Sequence, residues 1–104
     1  MQTEICPVQT TVQLISGKWK PVIIYHLLYG KLRFGELQKK ISGITQRSLT
    51  LQLRELEDDG MISRTIYPEI PPKVEYELTE TGMSMKDIIH AMCDWGQTYQ
   101  QTHK

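Results

Sequence analysis

A mainly α fold carrying one small β-hairpin, an α+β arrangement, is predicted for this 104-residue chain by three observations in the stretch from Leu49 to Gly82. Leu49, Leu53 and Leu56 recur at helical spacing and share one face. Gly60 follows at once, where a left-handed helix stop belongs. Two short alternating runs, Ile62–Tyr67 and Val74–Leu78, then flank Pro68 and the pair Pro71-Pro72, as the strands of a hairpin would. More helix precedes this unit, so the order is that of a winged helix.

The remaining elements follow in order. Pro7 suits a first helical turn, and Val8, Val12 and Ile15 mark the apolar stripe of a helix over 7–16 that Gly17 ends. Lys18-Trp19 leads into a second helix with Pro21 in its first turn. Its residues Val22, Ile23, Ile24, Leu27 and Leu28 are apolar on most sides, so it is expected to be the buried spine, with Gly30 as its stop. A short helix from Phe34 to Ile41 carries Phe34, Leu37 and Ile41 at helical spacing. The turn Ser42-Gly43-Ile44 separates it from a helix starting at Thr45 or Gln46, which makes 33–59 a helix-turn-helix and 62–78 its wing. Thr79 is the expected N-cap of a last helix over 80–101, with Met85, Ile88, Ile89, Met92, Trp95 and Tyr99 as its stripe. A single domain, 1–104, accounts for the whole chain.

Zero net charge hides a strong asymmetry. Between residues 18 and 54 eight basic residues face one acidic residue, whereas between 55 and 94 ten acidic residues face three basic ones. Such a dipolar chain can turn a basic face to phosphates and stay soluble. No apolar run approaches a membrane span and no export signal opens the chain, so a cytoplasmic protein without membrane partners is expected. Cys6 and Cys93 are then free thiols. His26, His90 and His103 have no ligand spacing with either cysteine, so no metal site and no cofactor are expected.

Seven short motifs stand in register along nearly the whole chain. They are Cys6-Pro7 with Gly17–Trp19; Arg33-Phe34-x-Glu36-Leu37; Leu49-Thr50-x-x-Leu53-x-x-Leu56; Asp59-Gly60; Pro71 to Tyr76; Leu78-Thr79-x-x-Gly82; and Asp94-Trp95-Gly96. In these the chain resembles the HxlR-type family of bacterial winged helix-turn-helix transcriptional regulators. Ser16, where a second glycine is common, and Gly35, where a polar residue is usual, are small departures. The resemblance implies a homodimer built from the first and last helices, 7–16 and 80–101. It also implies that some relatives carrying the early cysteine sense oxidants or electrophiles through it.

If the leucine stripe faces the core, Arg47, Thr50, Leu51 and Arg54 gather on the opposite face of the recognition helix, at about 100° per residue. Residues at its start, Thr45 to Ser48, enter a major groove first. Arg47 can donate two bonds to guanine, and Thr50 or Leu51 can lie against a thymine methyl. Leu51 has two readings, a base contact or packing in a slightly rotated helix. Thr45, Gln46 and Ser48 are phosphate candidates beside free backbone N–H groups. Lys73 and Arg64 on the wing, Lys18 and Lys20 at the start of the second helix, and Arg33, Lys39 and Lys40 are further phosphate candidates.

The function predicted is a sequence-specific regulator of double-stranded DNA, by default a repressor, bound as a homodimer to a pseudo-palindromic operator. Val8, Val12, Ile15, Met85, Ile88, Ile89, Met92, Trp95 and Tyr99 are the candidate dimer residues. Cys6, at a helix N-terminus where the dipole favours a thiolate, is a candidate sensor of an oxidant or small electrophile; the competing reading is a small capping residue. Cys93 reads as packing. A winged helix used for protein–protein contact is the second functional reading, distinguished by salt-insensitive or absent DNA binding. A thiol enzyme is not expected, because Cys6 has no nearby histidine or second active-site cysteine in the sequence.

Overall fold

Leucine and isoleucine side chains from four helices converge on one core. The computed structural model describes residues 5–103. In chain order the elements are α1 (Pro7–Leu14), α2 (Lys20–Leu27), β1 (Leu32–Arg33), α3 (Phe34–Lys40), α4 (Gln46–Asp58), β2 (Ile62–Tyr67), β3 (Lys73–Leu78), α5 (Glu80–Met83) and α6 (Lys86–Thr102). As expected, α2 is the spine: Ile23, Ile24 and Leu27 are buried against Leu37 of α3, Leu49, Leu53 and Leu56 of α4, and Met85 and Ile89.

Local signals set the ends of α4. The Thr45 side chain caps it by accepting the Ser48 N–H at 3.0 Å. Ile44 and Leu49, both in the core, stand on either side of this cap in the positions of a hydrophobic staple. At the other end Gly60 takes φ +76°, Met61 N–H donates to the Leu56 carbonyl at 2.9 Å and Gly60 N–H to that of Glu57 at 3.0 Å. This is a Schellman stop, and it aims the chain directly into β2.

The sheet is larger than the expected hairpin. β1 pairs antiparallel with β3, Leu32 opposite Tyr76 and Arg33 opposite Glu75, so the strand order is β1-β3-β2. Two residues are too short to show alternation, and only the partner strand makes them a strand. β3 has neighbours on both sides, and of its two glutamates only Glu77 is exposed. Glu75 is largely covered, with Lys31 Nζ at 3.6 Å and Lys73 Nζ at 3.9 Å. The Tyr67 hydroxyl, then burial, then Lys73 and Lys31 act on its carboxyl, which is held below the usual carboxylate range.

The expected last helix is broken in two. Thr79 does cap, accepting the Gly82 N–H at 3.1 Å, but its turn is the single-turn α5. Thr79 Oγ1 donates to the Gly60 carbonyl at 2.6 Å and Thr79 N–H to the Met61 carbonyl at 3.0 Å. Gly82 is buried over the Met61 carbonyl, with no room for a side chain. These contacts fix α5 to the α4–β2 junction, and α6 sets off in the direction that lets Met85 and Ile89 reach α2.

His26, on α2, is partly buried, and burial first, then repulsion from Lys40, lowers its pKa. The unfolded chain, with a histidine pKa near ~6.5, therefore binds more protons than the folded one in acid. Stability from this site is complete above that value and falls as pH drops through it toward the folded pKa. Urea unfolding at neutral pH and at mildly acidic pH, kept above carboxylate titration, is expected to show this loss, and His26→Gln to shrink it.

Candidate nucleic-acid interface

Helix α4 has two chemically distinct faces. Leu49, Leu53 and Leu56 are at most 2% exposed, while Thr45, Gln46, Arg47, Thr50, Leu51 and Arg54 are exposed and Ser48 is half-buried. Leu51 is 51% exposed, so the reading in which it packs inside its own subunit does not hold. The Thr50 hydroxyl donates to the Gln46 carbonyl at 2.8 Å and is therefore already engaged. Neither Arg47 nor Arg54 enters an ion pair among the described residues. Their guanidinium groups are free to meet an external acceptor.

The other basic candidates divide by what holds them. Lys18 and Arg33 are exposed; the ammonium of Lys18 sits 4.7 Å from the centre of the Trp19 ring, and the Arg33 N–H donates to Glu36 Oε1 at 2.8 Å as α3 begins. Lys39 and Lys40, in the last turn of α3, are also exposed. Lys20 is a correction. It is only 7% exposed and its Nζ is 2.7 Å from Glu55 Oε1, so it ties α2 to α4 from inside rather than facing a phosphate. Lys73 is shielded by its own strand pair, 4.7 Å above the Tyr67 ring and 3.9 Å from Glu75. Arg64 Nε lies 3.5 Å from Glu57 Oε1.

This last contact belongs to a cleft that sequence reasoning missed. Thr50, Leu53, Arg54 and Glu57 of α4 line it on one side and the cross-strand pair Arg64–Tyr76 on the other, enclosing about 210 Å³. Its members come from elements more than twenty residues apart in places, and only the β2–β3 register brings Arg64 opposite Tyr76. Burial raises the Tyr76 pKa, against the pull of Arg64 and Arg54, so its hydroxyl keeps its proton.

The candidate dimer residues also divide. Met85 and Ile89 are 7% and 3% exposed and belong to the subunit's own core, and Ile15 packs against it. These three are therefore not free apolar surface. Val8, Val12, Ile88, Met92, Trp95 and Tyr99 are all exposed. The four on α6 follow a four-three-four spacing, and Trp95 and Tyr99 stack at 5.4 Å between ring centres. Beside them an open apolar groove between α2 and α6 is lined by Pro21, Val22, Tyr25, Ile89, Met92 and Cys93. Cys6 is exposed at the N-cap of α1, and both cysteines are free thiols. Among the described residues no three His, Cys, Asp or Glu groups gather as metal ligands would, and no helix is long and apolar enough to cross a membrane.

This geometry has close counterparts. The profile of HxlR-like helix-turn-helix proteins matches residues 14–104. The HTH-type transcriptional regulator YdeP of Bacillus subtilis is 56% identical over 97 residues, 93% of this chain and 76% of that protein. An HTH-type transcriptional regulator of Methanothermobacter thermautotrophicus is 52% identical over 95 residues, covering 91% and 72%. Among solved structures, the redox regulator HypR in its oxidised form superposes with a TM-score of 0.86 at 50% identity, over 89% of this chain and 96% of that one. The reduced form of YodB from B. subtilis gives 0.79 at 31% identity, over 97% and 100%. The overall fold and most of the sequence are thus shared with transcriptional regulators, and the chain belongs to the HxlR-like helix-turn-helix family of DNA-binding transcriptional regulators.

Proposed function

We propose that the protein acts as a homodimer on a pseudo-palindromic operator, with α4 of each subunit in the major groove, and that it represses by occupying a promoter. The observation that carries this reading is the outer face of α4, where unpaired Arg47 and Arg54 and exposed Leu51 stand beside a Thr45-capped N-terminus. Arg47, in the first turn, is the base reader, and the free N–H groups of Gln46 and Arg47, with the Ser48 hydroxyl, hold a phosphate. Lys18, Arg33 and the wing contact the backbone. The apolar spacing Ile88, Met92, Trp95, Tyr99 is that of a helix-pair seam, and with Val8 and Val12 it supplies the dimer surface.

Arg47→Ala is expected to weaken binding to the operator by about 1–3 kcal/mol and to relax preference at one base position. Fluorescence anisotropy on operator variants reads both effects, and unchanged affinity would show that α4 is wrongly placed in the groove. Wild-type binding that ignores salt would instead favour the protein–protein reading.

We further propose Cys6 as the point at which an oxidant or small electrophile acts. It is exposed at a helix N-terminus, HypR is titled a redox regulator, and YodB has been solved after diamide treatment. Modification there, beside Val8 on α1, would disturb the dimer surface. Diamide or a quinone is expected to release wild-type protein from DNA and to leave Cys6→Ser bound; equal release of both removes Cys6 as the sensor.

A further inference from the structure

The cleft between α4 and the wing has the donors of an oxyanion site and its own acid inside. Thr50, Arg54 and Glu57 stand at i, i+4 and i+7 on α4, and Arg64 and Tyr76 face them from β2 and β3 with Leu53 between. The Thr50 hydroxyl is committed to Gln46, so the available donors are the two guanidinium groups and the protonated Tyr76 hydroxyl. That set matches a tetrahedral oxyanion. In the free protein Arg64 meets Glu57 across 3.5 Å, a loose pair whose carboxylate side chain is 36% exposed and can turn to solvent. Arg54 has no acidic partner among the described residues.

The position of the cleft identifies the anion. When a helix enters the major groove and the adjoining wing lies over the minor groove, the strand backbone dividing the two grooves passes between helix and wing. We propose that this cleft receives one phosphodiester of the duplex and that Glu57 is a latch, holding Arg64 in the free protein and yielding it to the arriving phosphate. The proposal rests on the DNA reading of α4. The exchange swaps one anion for another around Arg64, so it sets backbone affinity for every sequence and leaves base preference to Arg47. A free phosphate or a phosphorylated small molecule offers the same chemistry, and the experiment separates these sources.

A labelled duplex selected by the wild-type protein from a random pool is titrated across KCl concentrations with wild type, Glu57→Gln, Arg64→Ala and the double variant. Glu57→Gln is expected to tighten binding about threefold or more on selected and unselected duplexes alike. Arg64→Ala weakens both and lowers the salt slope by about 0.9. In the Arg64→Ala background the gain from Glu57→Gln disappears. Methylphosphonate placed at one linkage at a time finds a single position per half-site that masks the loss from Arg64→Ala. A gain that persists without Arg64 means simple long-range repulsion and overturns the latch, as does the absence of any masking linkage. If Arg64→Ala does not fold, Arg64→Gln removes the charge, keeps a long polar side chain and serves in its place. Inorganic phosphate at constant ionic strength is expected to raise Tm no more for wild type than for Arg64→Ala; a selective rise assigns the cleft to a free anion and overturns the DNA source. Failure of the wild type to select any duplex removes the DNA reading itself, a result distinct from tight binding in which Glu57 and Arg64 are uncoupled.

Discussion

Leu53→Ala is expected to lower the unfolding free energy by about 2–5 kcal/mol, the range for emptying a packed leucine site. Leu53 is 2% exposed, sits midway along α4 between Leu49 and Leu56, and belongs to the same cluster as Ile23, Ile24 and Leu27 of α2. The site has little freedom to collapse, because α4 is held at both ends by the Thr45 cap and the Gly60 stop. At roughly 4–8 °C per kcal/mol for a domain of this size, Tm should fall by about ten degrees or more. Thermal unfolding followed by circular dichroism measures it; a shift of only a degree or two would mean that Leu53 is not a core residue. DNA affinity of the folded fraction should also fall, since Leu53 floors the cleft beside Arg54 and Arg64.

Gly82→Ala is expected to cost about 1–3 kcal/mol, or more if the turn cannot move. A Cβ at this position would press into the Met61 carbonyl, a backbone group that has no rotamer to retreat into. Moving that carbonyl disturbs the bond it accepts from the Thr79 N–H, and with it the docking of α5. Gly35→Ala is the matched control. Nothing lies within 4 Å of a Cβ there, so that change is expected to be neutral or slightly stabilising. Chemical denaturation of the two variants checks the contrast, and equal stabilities would show that the α5 turn is free to shift. The redundancy of contacts around Thr79 explains why this cost is large: one hydroxyl serves both the helix start and the α4–β2 junction.

Local chemistry made much of this protein legible before any coordinates. A leucine stripe with a glycine after it is a terminated helix wherever it occurs, and proline-bounded alternation is a hairpin. The exposed face of α4 followed from the buried one by helical arithmetic alone. The misreadings share another origin. Lys20 has a four-carbon stem that buries as readily as it projects, and only the meeting of α2 with α4 placed Glu55 at its tip. The α6 stripe is too wide for one face, and the break at Ser84–Met85 decided that Met85 and Ile89 enter the core while Ile88, Met92, Trp95 and Tyr99 stay outside. β1 exists because β3 offers it a free edge.

The cleft is the clearest case of the second kind. Nothing near Glu57 in sequence marks it as the partner of Arg64, for strand register is a property of two segments and a one-residue slip would turn Arg64 away from Tyr76. The sequence by itself determined which face of α4 is buried and where that helix starts and stops, because periodicity, capping and glycine stops act within a few residues. The tertiary structure decided which charges are free, which are spent inside the fold, and which apolar residues remain for a partner, because those outcomes depend on what distant segments bring to the same place.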